Sequence, residues 1–292
     1  MDQSPSDMVF RRLEVRSRRV VEEQLAGDYL SAFKGRGTEF DEVRVYTPGD
    51  EVRSIDWNVT ARTGVPHTKR SIEERELVVW LLVDISASAD FGSTGQSKRE
   101  VAAELAAMLA WSATKANDRV GLILFTDEIE LIVPPAKGSI QVSRILSEVL
   151  EFSARGRGTS VGVALEQLGR SARRHCVAIV ISDFQTPDFS DELLGVAPLH
   201  DLIVLEIRDP IETRLPKSGM VRLRDSESGQ LRLLDTSVAA VADAVTDRAK
   251  ATRETRQALF EEFGVDGFSI QVDDDYGDEL SAFLRARRGR KR

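Results

Sequence analysis

Apolar positions follow two patterns that alternate along the chain from Glu76 onward. Short, continuous apolar runs are typical of strands covered on both faces, whereas apolar residues that recur every three or four positions are typical of helices. The runs that predict strands are 77–83, 120–125, 129–133, 176–182, 202–207 and 268–272. The stretches that predict helices are 98–117, 139–152, 160–174, 191–199, 237–263 and 278–288. This alternation predicts an α/β fold: a mostly parallel sheet with helices on both faces, in which 120–125 and 129–133 form an antiparallel hairpin.

The chain before Glu76 follows a different pattern. Residues 8–26 predict a charged helix that ends at Gly27. Residues 34–70 are polar, rich in arginine and interrupted by glycine and proline, and EVRVY within them alternates like a short strand. We interpret four charged residues of this segment as pairs that pin it onto the main domain or bind a partner, rather than as a catalytic cluster: Asp50, Asp56, Arg53 and Arg62. We interpret Trp57 as an anchor in that packing.

The alternation of strands and helices is interrupted again after Pro216, where the runs MVRLRD and QLRLL flank Glu227-Ser228-Gly229. These two runs predict an inserted β-hairpin at about 216–236. The predicted organisation is therefore an N-terminal family-specific extension over 1–75 and a main domain over 76–292 that carries the hairpin.

Composition narrows the classes of function. The 292 residues include 48 acidic and 40 basic side chains, which gives a net charge of −8 and argues against a whole-molecule nucleic-acid binder. Cys176 is the single cysteine of the sequence, so no intrachain disulfide can form. No stretch reaches the roughly 18–20 consecutive apolar residues that a membrane-spanning helix requires, and the first residues lack a signal pattern. We therefore expect a cytoplasmic protein.

Oxygen-bearing side chains follow two of the predicted strands and precede one helix. Asp84, Ser86 and Ser88 come directly after strand 77–83, Asp183 follows strand 176–182, and Thr159 stands before helix 160–174. Ligands of open α/β sheets bind beyond the carboxyl ends of the strands, so Asp84 and Asp183 converge at one edge if their strands are parallel near neighbours. Carboxylates and hydroxyls suit a hard cation, with Mg²⁺ first and Mn²⁺ or Ca²⁺ as alternatives. The plainer alternatives are local hydrogen bonds in the first loop, a helix cap at Thr159 and a turn at Asp183.

The segment Glu76–Asp209 resembles a von Willebrand factor A-like domain, and DISAS matches the metal-ion-dependent adhesion site of that family. The resemblance implies that Asp84, Ser86, Ser88, Thr159 and Asp183 hold a divalent cation, and that a carboxylate of a partner protein completes its coordination. It implies a non-enzymatic interaction protein.

A narrower resemblance covers nearly the whole chain. The motif GRGTEFDEVRVYTPGDEVRSIDWNVTARTG, the ERE before the strand and RLRDSESG in the hairpin are similar to an uncharacterised bacterial family. Its members are typically encoded beside MoxR-type AAA+ ATPases. The resemblance implies such an ATPase as partner, in chaperone-like maturation or assembly of other proteins.

Two other functions remain as alternatives. A metal-dependent hydrolase would need a base near metal-bound water, a role for which Asp127 or Glu128 is available. A regulatory nucleic-acid binder would use the basic tail 285–292, which we otherwise expect to be solvated.

Overall fold

The computed structural model describes residues 5–33, 42–70, 76–224, 226–227 and 229–288. The strands in chain order are β1 Glu42–Val45, β2 His67–Arg70, β3 Val78–Asp84, β4 Arg119–Phe125, β5 Ile129–Ala136, β6 Val177–Ser182, β7 Asp201–Arg208, β8 Met220–Arg224, β9 Leu231–Asp235 and β10 Asp266–Gln271. The helices are α1 Pro5–Val20, α2 Ala26–Phe33, α3 Trp57–Thr63, α4 Lys98–Lys115, α5 Ser139–Glu151, α6 Val161–Ser171, α7 Ser190–Val196, α8 Pro210–Thr213, α9 Ala239–Glu262 and α10 Tyr276–Arg288. A π-helical turn, Val21–Leu25, joins α1 to α2, and a 3₁₀ turn spans Val52–Ser54.

The central sheet has the strand order β10-β7-β6-β3-β4-β5. Every neighbouring pair in it is parallel except β4 and β5, which form the predicted antiparallel hairpin. The sequence patterns therefore predicted the α/β fold class and the single antiparallel strand of this sheet correctly.

Both faces of the sheet are covered by helices. Leu81 on β3 packs into a core with α4, α5 and the N-terminal helices, while its neighbour Leu82 packs on the opposite face with α6, α7 and α9. Both side chains are fully buried. Because successive residues of a strand point to opposite faces, a continuous apolar run is the pattern that two covered faces require.

The sequence predicted that the N-terminal helix ends at Gly27, and this prediction was wrong. The helix continues to Phe33. Gly27 does not have the positive φ that a helix-terminating glycine adopts. Leu25 and Tyr29 are fully buried in the main core, and α2 packs against α10. The division of the chain at residue 75 stays a prediction, but these helices share the hydrophobic core of the main sheet.

Residues 42–70 form a small unit in which β1 and β2 pair antiparallel. Asp56 caps α3 by accepting hydrogen bonds from two backbone amides, and Gly64 ends that helix with φ of 71°. Asp50 pairs with Arg44, a partner that the sequence analysis did not name. The prediction for Trp57 was wrong, because its side chain is 67% exposed and does not serve as a packing anchor. Residues 34–41 of the predicted segment lie outside the described part.

The predicted hairpin consists of β8 and β9, paired in antiparallel register from Met220↔Asp235 to Arg224↔Leu231. Within the basic tail, Arg287 is buried, contrary to expectation, whereas Arg285 is exposed as expected. Arg287 in α10 is 3% exposed and forms ion pairs with Asp201 and Asp266. The tail residues 289–292 lie outside the described residues. In the described part of the chain, no helix has both the length and the apolar character needed to cross a membrane.

Candidate metal centre

Two predicted carboxylates lie side by side at the carboxyl edge of the sheet. Strands β3 and β6 are parallel neighbours, with Val83 opposite Ile181, so the residues that follow them emerge together. The hydroxyl of Ser182 donates a 2.6 Å hydrogen bond to Oδ2 of Asp84. Asp84 is thus tied directly to the residue before Asp183.

The loop after β3 extends this contact into a continuous chain of hydrogen bonds. The backbone amide of Ser86 donates to Oδ1 of Asp84 at 2.9 Å, and the hydroxyls of Ser86 and Ser88 are 3.1 Å apart. Ser88 then donates to Oδ2 of Asp183 at 2.8 Å. All four side chains are buried. The structure therefore brings together four of the five residues predicted for the site.

Thr159, the fifth, reaches the same edge through a neighbouring loop. The amide of Ala87 donates to the carbonyl of Arg157 at 3.2 Å, which joins the first loop to the loop that carries Thr159. Ser160 caps α6, so the alternative role of Thr159 as the helix cap is wrong. The Thr159 hydroxyl instead donates a 2.7 Å hydrogen bond to Oε1 of Glu227 in the hairpin turn.

Lys98 is a charged member of the site that the sequence analysis missed. Its side chain is 3% exposed at the start of α4, and its ammonium donates to Oδ2 of Asp183 at 2.6 Å and to Oε1 of Glu212 at 2.7 Å. The hydroxyl of Ser182 was also missed. Ser182 could have been predicted from the sequence, because it ends a buried strand and precedes Asp183. Lys98 could not, because no known motif places a lysine at this distance after Asp84.

The two aspartates have opposite electrostatic environments. Burial, together with the negative charge of Asp183, raises the pKa of Asp84 to about 7. Burial would also raise the pKa of Asp183, but the charge and hydrogen bond of Lys98, with hydrogen bonds from Gln185 and Ser88, hold this pKa below its ordinary value. The same two carboxylates, Asp183 and Glu212, raise the pKa of Lys98 against the effect of its burial. The site therefore holds a buried ion pair beside a carboxylate that is costly to ionise.

A divalent cation fits this donor set. The side chains offer two carboxylates and three hydroxyls, which are hard oxygen ligands of the kind that Mg²⁺ and Mn²⁺ prefer. Among the described ion pairs, a cationic side chain reaches Asp183 but not Asp84, so Asp84 is the carboxylate whose charge a bound cation would neutralise. The positive charge of Lys98 would weaken binding of a cation at Asp183, because the ammonium and the cation would share one carboxylate. Within the described ranges, no group of three or more His, Cys, Asp or Glu side chains is placed to hold a metal ion, and the predicted site itself has two carboxylates.

The carboxylates considered for a hydrolase lie on the β4–β5 turn. Asp127 is exposed, and its side chain lies against the backbone of Gly156 and Gly158. Glu128 is 3.9 Å from Arg155. The hydrogen bonds and ion pairs of the described residues do not join either carboxylate to Asp84 or Asp183.

Comparison with family models matches residues 42–255 to the family described as protein of unknown function DUF58. The chain belongs to the DUF58 family. The match includes the small β1–β2 unit, the five predicted ligands and the hairpin, so the resemblance to an uncharacterised bacterial family is confirmed at the level of the family.

Relatives of this DUF58 protein include uncharacterized proteins of Mycobacterium tuberculosis strain H37Rv and of Mycobacterium bovis. Each is 33% identical over 286 residues, which covers 96% of this chain and 89% of the relative. An uncharacterized protein of Mycobacterium avium is 30% identical over 129 residues, covering 44% of this chain and 76% of that protein.

Solved structures share the fold of this DUF58 protein. The conserved hypothetical protein BatB from Bacteroides thetaiotaomicron superimposes with a TM-score of 0.50 at 18% identity, over 72% of this chain and 98% of that one. The SpRpn10 VWA domain matches with a TM-score of 0.40 at 10% identity, over 70% of this chain and 94% of that domain. The match to BatB shows that the two chains share a fold, and the α/β class predicted from the sequence is confirmed.

Proposed function

We propose that this DUF58 protein is a non-enzymatic interaction module that binds a carboxylate of a partner protein through a divalent cation. The observation that carries the proposal is the hydrogen-bonded chain that joins Asp84, Ser86, Ser88 and Asp183 at the carboxyl edge of the sheet. Mg²⁺ is the first candidate, and Thr159 supplies the fifth oxygen. A cation held by these residues has a coordination position that a partner's Asp or Glu can take, which makes the contact specific for a negative charge.

We further propose a MoxR-type AAA+ ATPase as the partner, in the maturation or assembly of other proteins. This proposal rests on the resemblance of the 34–70 motif to a family encoded beside such ATPases. A surface feature supports a protein contact there, since Val45, Val52 and Trp57 are 53%, 63% and 67% exposed within one small unit. Apolar surface left exposed in this unit is available for contact with a partner protein.

The first test is calorimetric titration of the full chain with Mg²⁺ alone, using wild type, Asp84→Asn and Asp90→Ala. Asp90 is a matched control, because it belongs to the same loop but is 66% exposed and pairs only loosely with Arg99 at 3.5 Å. We expect Mg²⁺ to bind wild type and Asp90→Ala with equal affinity, and Asp84→Asn at least tenfold more weakly. Absence of Mg²⁺ binding to folded wild type would refute the proposal.

The second test measures association with the purified MoxR-type ATPase of the same genome. The ATPase itself needs Mg²⁺ for nucleotide, so the three variants are compared at constant Mg²⁺ rather than with and without chelator. We expect Asp84→Asn to lose association and Asp90→Ala to retain it. Equal affinity of all three variants would show that any complex forms without the cation.

A further inference from the structure

A carboxylate of the same chain contacts one of the five predicted metal ligands. Oε1 of Glu227 accepts a 2.7 Å hydrogen bond from the hydroxyl of Thr159, although 68 residues separate them in sequence. Glu227 lies outside the five residues of the adhesion-site motif and comes from the turn of the β8–β9 hairpin. Its acid group has the chemistry that the proposed function assigns to the partner.

A second contact places the same turn over the same loop. Arg157 donates from Nη2 to the carbonyl of Ser226 at 3.4 Å, next to Glu227 in sequence. The carbonyl of Arg157 in turn accepts the 3.2 Å hydrogen bond from Ala87, inside the DISAS loop. Thr159 is only 4% exposed beneath this arrangement. The hairpin turn is therefore held against the loop that carries Thr159, and this loop in turn contacts the DISAS loop.

The hairpin is attached in a way that permits it to leave. Its strands pair with each other and not with the central sheet. Met220, Leu231 and Leu233 are each at least 60% exposed, so one face of the hairpin is not packed against the protein. Elements with little buried apolar area open at low free-energy cost.

We infer that Glu227 is a tethered carboxylate that takes the partner's position on the bound cation, so that the β8–β9 hairpin is a displaceable cover of the site. This inference rests on the proposed function, because it assumes a cation at Asp84 and Asp183. A partner then binds by exchanging its own carboxylate for Glu227 and lifting the hairpin. Partners without a suitably placed acid group cannot displace it, which raises the specificity of the site.

The test compares wild type, Glu227→Gln and Asp235→Asn with Mn²⁺ as the probe. Glutamine keeps the size and the hydrogen-bond acceptor of Glu227 but is uncharged, so it binds a divalent cation more weakly than a carboxylate does. Asp235→Asn is a matched control, since this substitution removes one negative charge from the base of the same hairpin. The Asp235 carboxylate contacts Ser237 there. Proton relaxation of water reports how many waters are coordinated to bound Mn²⁺, and hydrogen exchange of residues 220–235 reports whether the hairpin is held.

We expect bound Mn²⁺ to carry one more coordinated water in Glu227→Gln than in wild type and Asp235→Asn. Added acetate should remove this extra water from Glu227→Gln and leave wild type unchanged. Mn²⁺ should slow amide exchange in the hairpin of wild type and Asp235→Asn, but not in Glu227→Gln.

The two hypotheses fail in different ways. If Mn²⁺ binds all three proteins with equal water counts and equal hairpin exchange, the tethered carboxylate is refuted and the metal site stands. If Mn²⁺ does not bind the folded wild type at all, both the proposed function and the inference are wrong.

Discussion

Lys98 is the residue whose removal tests the electrostatics of the site most directly. Lys98→Met keeps the length and apolar stem of the side chain but deletes its charge. Asp183, only 8% exposed, then loses the ammonium 2.6 Å away, while Asp84 remains beside it. Breaking a buried ion pair by removing one partner typically costs about 3–5 kcal/mol. The side chain of Glu212, the other partner, is 26% exposed and is rehydrated more easily, so we expect about 3 kcal/mol.

The cost should depend on pH in a defined direction. The pKa of Asp183 is lowered in the folded wild type, so this group contributes stability above its ordinary pKa of 3.8 and loses it as the pH falls through the lowered value. The pKa of Lys98 is raised above 10.5, so its charge is fully present at neutral pH. In Lys98→Met, Asp183 can relieve the unpaired charge only by taking up a proton. The deficit relative to wild type should therefore be largest near pH 8 and smaller at pH 5.

The assay is urea unfolding followed by tryptophan fluorescence in metal-free buffer at pH 5 and pH 8. Lys115→Met is the control, because Lys115 lies exposed on the same helix and should change the free energy of unfolding by about 0.5 kcal/mol or less. A deficit for Lys98→Met within 1 kcal/mol of this control, or one that is equal at both pH values, would refute the reasoning. With a cation bound, Mg²⁺ should restore more stability to Lys98→Met than to wild type, because the competing charge is gone.

Three further predictions concern packing and burial away from the site. Gly267→Ala should destabilise the protein by about 1–3 kcal/mol, because the added Cβ would lie 2.2 Å from a methyl group of a valine in β7. Gly169→Ala should stabilise the protein by about 0.5–1 kcal/mol, because Gly169 faces open space on α6. Urea unfolding of both variants measures these opposite effects. Burial raises the pKa of Cys176 to about 12, so Ellman's reagent at pH 8 should react with it only after unfolding, and fast reaction in the native protein would contradict this. Arg287→Met should lower the free energy of unfolding by about 3–5 kcal/mol, because it breaks buried ion pairs. Arg285 is 61% exposed, so Arg285→Met should lower the free energy of unfolding by less than about 1 kcal/mol. Similar losses in both variants would show that burial of the ion pairs is unimportant.

Errors of the sequence analysis have a common physical origin. Gly27 was read as a helix end, but the helix continues because Tyr29 buries against the main core. Trp57 was predicted to anchor its segment, yet it lies on the surface of a small unit. Arg287 was read as solvated because it belongs to a basic run, yet two distant aspartates pair with it. For Gly27 and Arg287, the local pattern was consistent with either outcome, and contacts remote in sequence decided between them.

The candidate site shows the same division between local and remote information. The spacing of Asp84, Ser86 and Ser88 is local, so the sequence was sufficient to predict that they share one loop. Lys98 and Glu227 were not predicted. Their contacts with Asp183 and Thr159 span 85 and 68 residues, and no short-range spacing encodes such distances.

The sequence by itself determined the alternation of strands and helices, and with it the α/β class and the strand ends that carry Asp84 and Asp183. It could do so because burial on one or two faces imposes a period on neighbouring residues. Only the tertiary structure decided that β6 lies beside β3, that Lys98 neutralises Asp183, and that the hairpin carries Glu227 to Thr159. These contacts depend on how separate elements pack against each other. Many side chains from distant parts of the chain contribute to the free energy of that packing, so no single segment of sequence predicts it.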